Sequence, residues 1–117
     1  MMVKSLVNEQ MNIESYYDSS NILKSEYIAS DNDMIITFKN GTRYKYFDVP
    51  LEVHFRLGMH ESTGKYFNEI KKEFQFEKIE DSPDIQKEKN LLKEYIKEYN
   101  EKLLNEQNES DVQSKLE

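Results

Sequence analysis

Apolar and polar side chains alternate between residues 22 and 47, and this pattern predicts β-strands. The alternating runs cover residues 22–29, 34–38 and 42–47. Two turn signals separate them, Asp31-Asn32-Asp33 and Asn40-Gly41. Strands joined by turns this short pair antiparallel. The sequence therefore predicts a three-stranded antiparallel meander.

The length of the second turn decides which side chains share a face of the sheet. A two-residue loop at Asn40-Gly41 pairs Lys39 with Thr42, whereas a three-residue loop with a left-handed Gly41 pairs Phe38 with Thr42. Only the second register gathers the large side chains on one face: Met34, Ile36, Phe38, Tyr44 and Tyr46. We therefore predict the bulged hairpin, with Arg43 and Lys45 on the opposite face.

After Pro50 the apolar residues recur at helical spacing and no longer alternate with polar ones. Pro50 suits the first turn of a helix that carries Val53 and Leu57, and Gly58 is predicted to end it. A second short helix is predicted with Ser62 or Thr63 as its cap and with apolar positions at Tyr66, Phe67 and Ile70. The alternation of Phe74, Phe76 and Ile79 then indicates a short extended segment.

A longer amphipathic helix is predicted from Ser82-Pro83, a cap followed by proline. Its apolar stripe comprises Ile85, Leu92, Ile96, Tyr99 and Leu103, widened by Leu91 and Tyr95. This stripe requires a partner surface, either the sheet of the same chain or a second copy in a homodimer. The residues predicted to form the partner interface are Leu92, Tyr95, Ile96, Tyr99 and Leu103.

These elements predict an α+β protein in which a three-stranded meander packs on two short helices and a long C-terminal helix follows. The predicted organisation is a flexible arm over 1–19, an α+β domain over 20–80, the amphipathic helix over 82–104 and a disordered acidic tail over 105–117.

Composition narrows the possible chemistry. The 117 residues include no cysteine and two histidines, which excludes disulfides, thiolate nucleophiles and cysteine-ligated metals. The formal charge is −7, but residues 20–79 carry nine basic and nine acidic side chains. A polyanion would therefore meet this neutral segment first. No apolar run is long enough for a membrane span or a secretory signal, so a cytoplasmic location is predicted.

The central segment carries a pattern of small and aromatic residues in two halves. The first is Ser20-Asn21-Ile22 with Phe38-x-x-Gly41-x-x-Tyr44-x-Tyr46-x-x-Val49-Pro50, and the second is Ser62-x-Gly64-x-Tyr66-Phe67-Asn68 with Ile70. Together they resemble the KTSC domain, a family named for the C-terminus of some lysyl-tRNA synthetases that also occurs as a lone domain in bacterial and phage proteins. The resemblance covers about residues 20–79 and implies RNA binding.

Candidate ligand-binding residues lie in both halves. Tyr44 and Tyr46 could stack on unpaired bases, although the predicted register also makes them core residues. Arg43 and Lys45, with Lys65, Lys71 and Lys72, could contact phosphates. The predicted helix start at Ser62, Gly64, Lys65 and Asn68 offers backbone N–H groups to an anion, or is a simple capped turn.

No catalytic, metal or cofactor site is predicted. Tyr66 follows Lys65 where a phosphate-binding loop would need Ser or Thr, which argues against nucleotide hydrolysis. His54 and His60 are six residues apart and do not share a helical face, and Glu61 does not complete a ligand set.

Two functions remain open from sequence. One is a non-catalytic module that binds RNA or a nucleotide, as the resemblance implies. The other is an acidic protein-interaction or inhibitor module that uses the C-terminal helix, for example a phage-encoded protein acting on a host nucleic-acid-handling or defence complex.

Overall fold

The sheet of this protein contains six antiparallel strands that neighbour one another in chain order. A computed structural model describes the backbone of residues 1–116 and the side chains of residues 1–106. The strands are β1 (Met2–Val7), β2 (Ile13–Tyr17), β3 (Ile22–Ile28), β4 (Asp33–Phe38), β5 (Arg43–Tyr46) and β6 (Phe76–Ile79). The α+β class is confirmed, but the prediction of three strands is wrong.

The three predicted strands are β3 to β5, and the segment predicted as a flexible arm, 1–19, contains β1 and β2. Alternation of polar and apolar residues reveals a strand most clearly when one of its faces is exposed to solvent. Successive side chains at Ser15, Tyr16 and Tyr17 are all buried, because both faces of β2 are covered. These residues therefore lack the polar and apolar alternation by which a strand is recognised in a sequence. The extended segment predicted near Phe76 is β6, which pairs with β5.

The β4–β5 turn has the predicted bulged register. The amide of Phe38 donates to the carbonyl of Thr42 at 2.9 Å, and Gly41 has a φ of 93°. Met34 then pairs with Tyr46, and Ile36 with Tyr44. The large side chains share one face, as the sequence predicted.

Replacing Gly41 with alanine is expected to lower the free energy of unfolding by about 1–2 kcal/mol, because a Cβ is strained at this φ. Urea titration measures the change. Gly41→Asn provides the comparison, since asparagine tolerates positive φ better than alanine and should lose less stability. Equal losses in both variants would contradict this explanation.

Two short helices cover one face of the sheet. They are α1 (Leu51–Met59) and α2 (Thr63–Ile70), and a 3-10 turn (Lys71–Glu73) follows them. Ser62 caps α2 by accepting from the amide of Lys65 at 3.4 Å, which confirms one of the two predicted caps. Gly58 does not end α1: it lies inside the helix and lets Met2 of β1 approach closely. The core on this face comprises Tyr17, Ile22, Tyr27, Met34, Ile36, Tyr46, Val49, Leu57 and Phe67.

The third helix, α3 (Ile85–Leu116), packs on the opposite face, over β1 to β3. Leu92 is buried against Tyr16 and Leu23. Val3, Ile85, Tyr95 and Ile96 pack around this second core. Both faces of the sheet are thus covered, and this explains why a long charged helix is stable here. None of the helices in the described part of the chain is both long and apolar enough to cross a membrane.

The bounds of α3 differ from the predicted 82–104. Asp84 provides the cap by accepting from the amide of Lys87, while the Ser82 hydroxyl donates to Glu88 at 2.6 Å. At the other end, the helical backbone continues through most of the predicted disordered tail, to Leu116. Glu117 and the side chains beyond Glu106 lie outside the described residues.

Candidate functional site

An open cleft lies between α2 and the end of the sheet formed by β4, β5 and β6. We call it the aromatic cleft. Its volume is about 340 Å³, and it is lined by Phe38, Tyr44, Tyr46, Phe67, Lys71, Lys72 and Phe76. Tyr46 and Phe67 are buried and form its floor, whereas Phe76 is 59% exposed. The ring of Phe76 is thus presented to solvent at the mouth of the cleft.

Strand register brings these rings together. Phe76 of β6 pairs with Tyr46 of β5, and their ring centroids are 5.6 Å apart. The centroid of Tyr44 lies 5.8 Å from that of Phe76. On the other side, Phe67 of α2 meets Tyr46 edge-on at 5.5 Å. Because each ring is held by another, the exposed faces are presented in a defined arrangement.

Lysines surround the aromatic cleft. Lys71 and Lys72 line it from the 3-10 turn, and Lys78 pairs with Tyr44 and so points to the same face of the sheet. None of these three lysines forms an ion pair with any side chain within residues 1–106. Their charges are therefore available to an anionic ligand.

The predicted phosphate contacts, Arg43 and Lys45, point to the opposite face. Arg43 donates to Glu26 at 3.2 Å, and Lys45 lies 3.4 Å from Asp33. These neighbours offset both charges. The structure therefore separates Arg43 and Lys45 from Tyr44 and Tyr46, because adjacent residues of a strand face opposite sides.

The predicted anion site at the start of α2 forms a second, polar cleft at the other end of that helix. Ser62, Gly64, Lys65 and Asn68 line it. Asp18 and Glu61 line it as well, and their carboxylates oppose an anion. The space above Gly64 is narrow, since a Cβ there would lie 3.1 Å from Asn21 Oδ1. These features fit a capped turn better than an anion-binding site.

The two histidines lie in different environments. His60 stacks on Tyr66, and its Nδ1 accepts from the amide of Ser62 at 3.1 Å. His54 is buried under α1, where its Nε2 lies 2.7 Å from the Ser25 hydroxyl. The Tyr17 hydroxyl lies 2.7 Å from the same Ser25 oxygen. These contacts form a continuous buried chain of hydrogen bonds between β2, β3 and α1.

Burial determines the protonation states of His54 and Tyr17 in this chain of hydrogen bonds. Desolvation lowers the pKa of His54 to about 4, so the ring is neutral at pH 7. Desolvation also raises the pKa of Tyr17 to about 12. A serine beside a neutral histidine resembles a nucleophile–base pair, but Ser25 is fully buried and no substrate can reach its hydroxyl.

A cluster of charges joins α3 to the sheet. The Lys24 ammonium lies 2.5 Å from Glu88 of α3, and 3.5 Å and 3.6 Å from Glu14 and Glu26. Burial alone would lower the pKa of Lys24, but the hydrogen bond to Glu88 and the three negative charges more than offset it, so that pKa is raised. Lys24 is therefore charged and holds α3 in place.

The predicted partner interface on α3 is largely occupied within the chain. Leu92 and Ile96 pack in the second core, Tyr95 meets Tyr16 at a centroid distance of 4.9 Å, and Tyr99 contacts Met1. Leu103 remains 43% exposed. Of the two alternatives left open by the sequence, the structure shows the helix folding back on its own sheet.

Sequence reasoning missed Phe38, Phe67 and Phe76 as site residues. Phe38 and Phe67 were assigned to the core, and they are also walls of the aromatic cleft. Phe76 was recognised only as part of an extended segment. The signal that could have found it was an alternating pair of aromatic residues just after Lys71 and Lys72.

Comparisons with known proteins address the central segment. The model of the KTSC domain family matches residues 18–74. Among solved structures, a KTSC domain protein from Yersinia pestis is 29% identical to this chain, with a TM-score of 0.54. That likeness covers 57% of this chain and 96% of the Yersinia protein. A search of curated proteins found no similar sequence. The resemblance to the KTSC domain is thus confirmed for residues 18–74, the part of the chain that contains β3, β4, β5, α1 and α2.

Proposed function

We propose that this protein binds single-stranded RNA in the aromatic cleft, as a non-catalytic cytoplasmic module. The observation that carries the proposal is the combination of an exposed ring, Phe76, with Lys71 and Lys72 in the same cleft and Lys78 beside Tyr44, three lysines without an ion pair among the side chains of residues 1–106. The RNA binding that the KTSC resemblance implies is the same class of ligand, and this supports the proposal.

The cleft suits an unpaired base better than a duplex. A base stacks on an aromatic ring only when its face is free, and within a duplex both faces are covered by neighbouring bases. A base against Phe76 and Tyr44 would lie close to the ammonium groups of the flanking lysines, which could then contact the adjacent phosphates. Stacking tolerates any base, so little sequence preference is expected.

The RNA contacts in this proposal differ from those predicted by sequence alone. Arg43 and Lys45 contribute less in this proposal, because Glu26 and Asp33 already neutralise them. Tyr44 remains a ligand contact, while Tyr46 mainly supports Phe76 from below. The serine, glycine and asparagine at the start of α2 belong to the other cleft.

Replacing Phe76 with alanine is expected to weaken binding of a single-stranded oligoribonucleotide roughly tenfold, because one stacking contact contributes about 1–3 kcal/mol. Replacing both Lys71 and Lys72 with alanine should weaken binding further at low salt. It should also make the slope of log K against the logarithm of salt concentration shallower by about 1.4. Fluorescence anisotropy over a salt series measures both effects.

Phe55→Ala is the matched control, because Phe55 is 64% exposed but lies on α1, away from the aromatic cleft. It should bind RNA as tightly as the wild type. Arg43→Ala with Lys45→Ala tests the contacts first suggested by sequence. Equal losses in the Phe55 and Phe76 variants, or binding that does not respond to salt, would refute the proposal.

The protein-interaction or inhibitor role is the second candidate, and the exposed Leu103 and Leu104 near the end of the described side chains favour it. These leucines extend the apolar stripe of α3 beyond the part that packs on the sheet. Absence of RNA binding at low salt would make this the preferred function.

A further inference from the structure

The outer side of α1 carries an apolar stripe that the fold does not use. Leu51, Phe55 and Met59 are 54%, 64% and 69% exposed. They are four residues apart and so lie on one face of the helix. The buried residues of α1, His54 and Leu57, lie on a different side and already attach the helix to the sheet. The stripe is therefore not needed to hold α1 in place.

The stripe borders a groove that reaches the open edge of the sheet. Leu51, Phe55 and Met59 form one wall of a cavity of about 250 Å³, and Met2, Val7 and Ile13 of β1 and β2 contribute to the other. Val7 is itself 58% exposed on β1, an edge strand. Ser5, Ser15 and His54 complete the lining, so the groove is predominantly apolar. An exposed surface of this kind marks an interaction site.

We infer that this surface binds a second copy of the chain, with the two α1 helices antiparallel about a two-fold axis at Phe55. Such an axis places Phe55 against its own counterpart and Leu51 opposite Met59 of the other copy. Each end of the stripe then meets a large apolar side chain. The surface is thus complementary to itself, as a two-fold interface requires.

The charges beside the stripe fit the same arrangement. Glu52 and Arg56 both lie on its solvent side, Glu52 three residues before Phe55 and Arg56 one residue after it, and are 72% and 66% exposed. In an antiparallel pair, residues on one flank of a helix face the same flank of the partner helix. The axis at Phe55 then leaves Glu52 offset by about 3 Å along the helix from Arg56 of the other copy, a distance that these long side chains can span, and this contact occurs twice. Within one chain the two side chains are 3.8 Å apart, a weak exposed pair that is free to exchange partners.

This dimer is independent of the RNA proposal, because the aromatic cleft lies on the β4–β6 side of the molecule and the groove on the β1–β2 side. It also differs from a dimer through α3, whose stripe is covered by the sheet. Each subunit would leave its cleft open.

The first test is sedimentation equilibrium of the full chain at increasing concentration. We expect the wild type to dimerise and Phe55→Glu to weaken dimerisation by roughly a hundredfold, because a central aromatic anchor is lost and a charge is placed against its own counterpart. Phe76→Glu is the matched control and should dimerise like the wild type. A wild type that stays monomeric to millimolar concentration, or a Phe55→Glu variant that dimerises normally, would overturn the inference.

The second test uses the flanking charges. Glu52→Arg alone places two arginines side by side across the interface, and Arg56→Glu alone places two glutamates there, so each variant should dimerise less well than the wild type. A mixture of the two restores both opposite-charge contacts and should form mixed dimers in preference, by roughly tenfold. Native mass spectrometry counts the species. A random mixture of dimers would refute the antiparallel arrangement of the two α1 helices.

Discussion

Replacing Lys24 with methionine is expected to lower the free energy of unfolding by about 3 kcal/mol, because three carboxylates lose their shared cation. Glu88 keeps the hydroxyl of Ser82 but loses its cation in the contact between α3 and the sheet, where its side chain is 18% exposed. Glu26 keeps Arg43, and Glu14 keeps the hydroxyl of Tyr16. The measurement is urea unfolding at neutral pH followed by circular dichroism.

A double replacement identifies the cause. Lys24→Met combined with Glu88→Leu removes the stranded charge and should recover much of the loss, since an apolar pair often replaces a buried ion pair without cost. Lys4→Met is the control, because Lys4 also joins the sheet to a carboxylate of α3, Glu98, but their side chains are 32% and 52% exposed, and its loss should cost less than about 1 kcal/mol. Similar losses for Lys24→Met and Lys4→Met would show that the Lys24 cluster does not hold α3.

Acidification from pH 6.5 to pH 4 is expected to remove about 3 kcal/mol of stability through His54 alone. Burial lowers the pKa of this histidine in the folded protein from 6.5 to about 4. In that window the unfolded chain binds a proton that the folded chain does not. The stability contributed by neutral His54 is therefore complete above pH 6.5 and is lost as the pH falls toward 4.

His54→Gln isolates this contribution. Carboxylates also titrate below pH 5, but they do so in both proteins, and the difference between the two stability profiles belongs to His54. That difference should shrink as the pH falls, because the wild type loses stability faster than the variant. No ionisable carboxylate is hydrogen-bonded to His54 within the described residues: its nearest partners are the Ser25 hydroxyl and the ring of Tyr27 at 5.3 Å. A difference that stays constant with pH would contradict the prediction.

The aromatic cleft shows why sequence reasoning reached part of the site. The Asn40-Gly41 turn determined the register of β4 and β5, and so the face shared by Phe38, Tyr44 and Tyr46 was predictable from local rules. Phe76 lies about thirty residues further on, and only the pairing of β6 with β5 brings its ring to Tyr46. No local pattern specifies which edge of a sheet a distant short strand will join.

The basic residues illustrate a second limit. Sequence placed Arg43 and Lys45 on one face of a strand, and the structure confirms that face. Whether their charges are free depends on Glu26 and Asp33 of the neighbouring strands, and this is a tertiary property. Lys71 and Lys72 became the stronger candidates because no described side chain pairs with them.

By itself, the sequence determined the α+β class, the β3–β5 meander with its bulged turn, the cap of α2 and the resemblance to the KTSC domain. These depend on short-range rules: alternation, the positive φ of Gly41 and hydrogen bonds between near neighbours. Only the tertiary structure decided that residues 1–19 complete the sheet and that α3 packs on the face opposite α1. It also decided that Lys24 links α3 to the sheet. The physical reason is that Ser15, Tyr16 and Tyr17 of β2 are buried in succession and give no periodic signal, and β1 joins the sheet only through β2. An amphipathic stripe, for its part, shows that a partner is needed without identifying it.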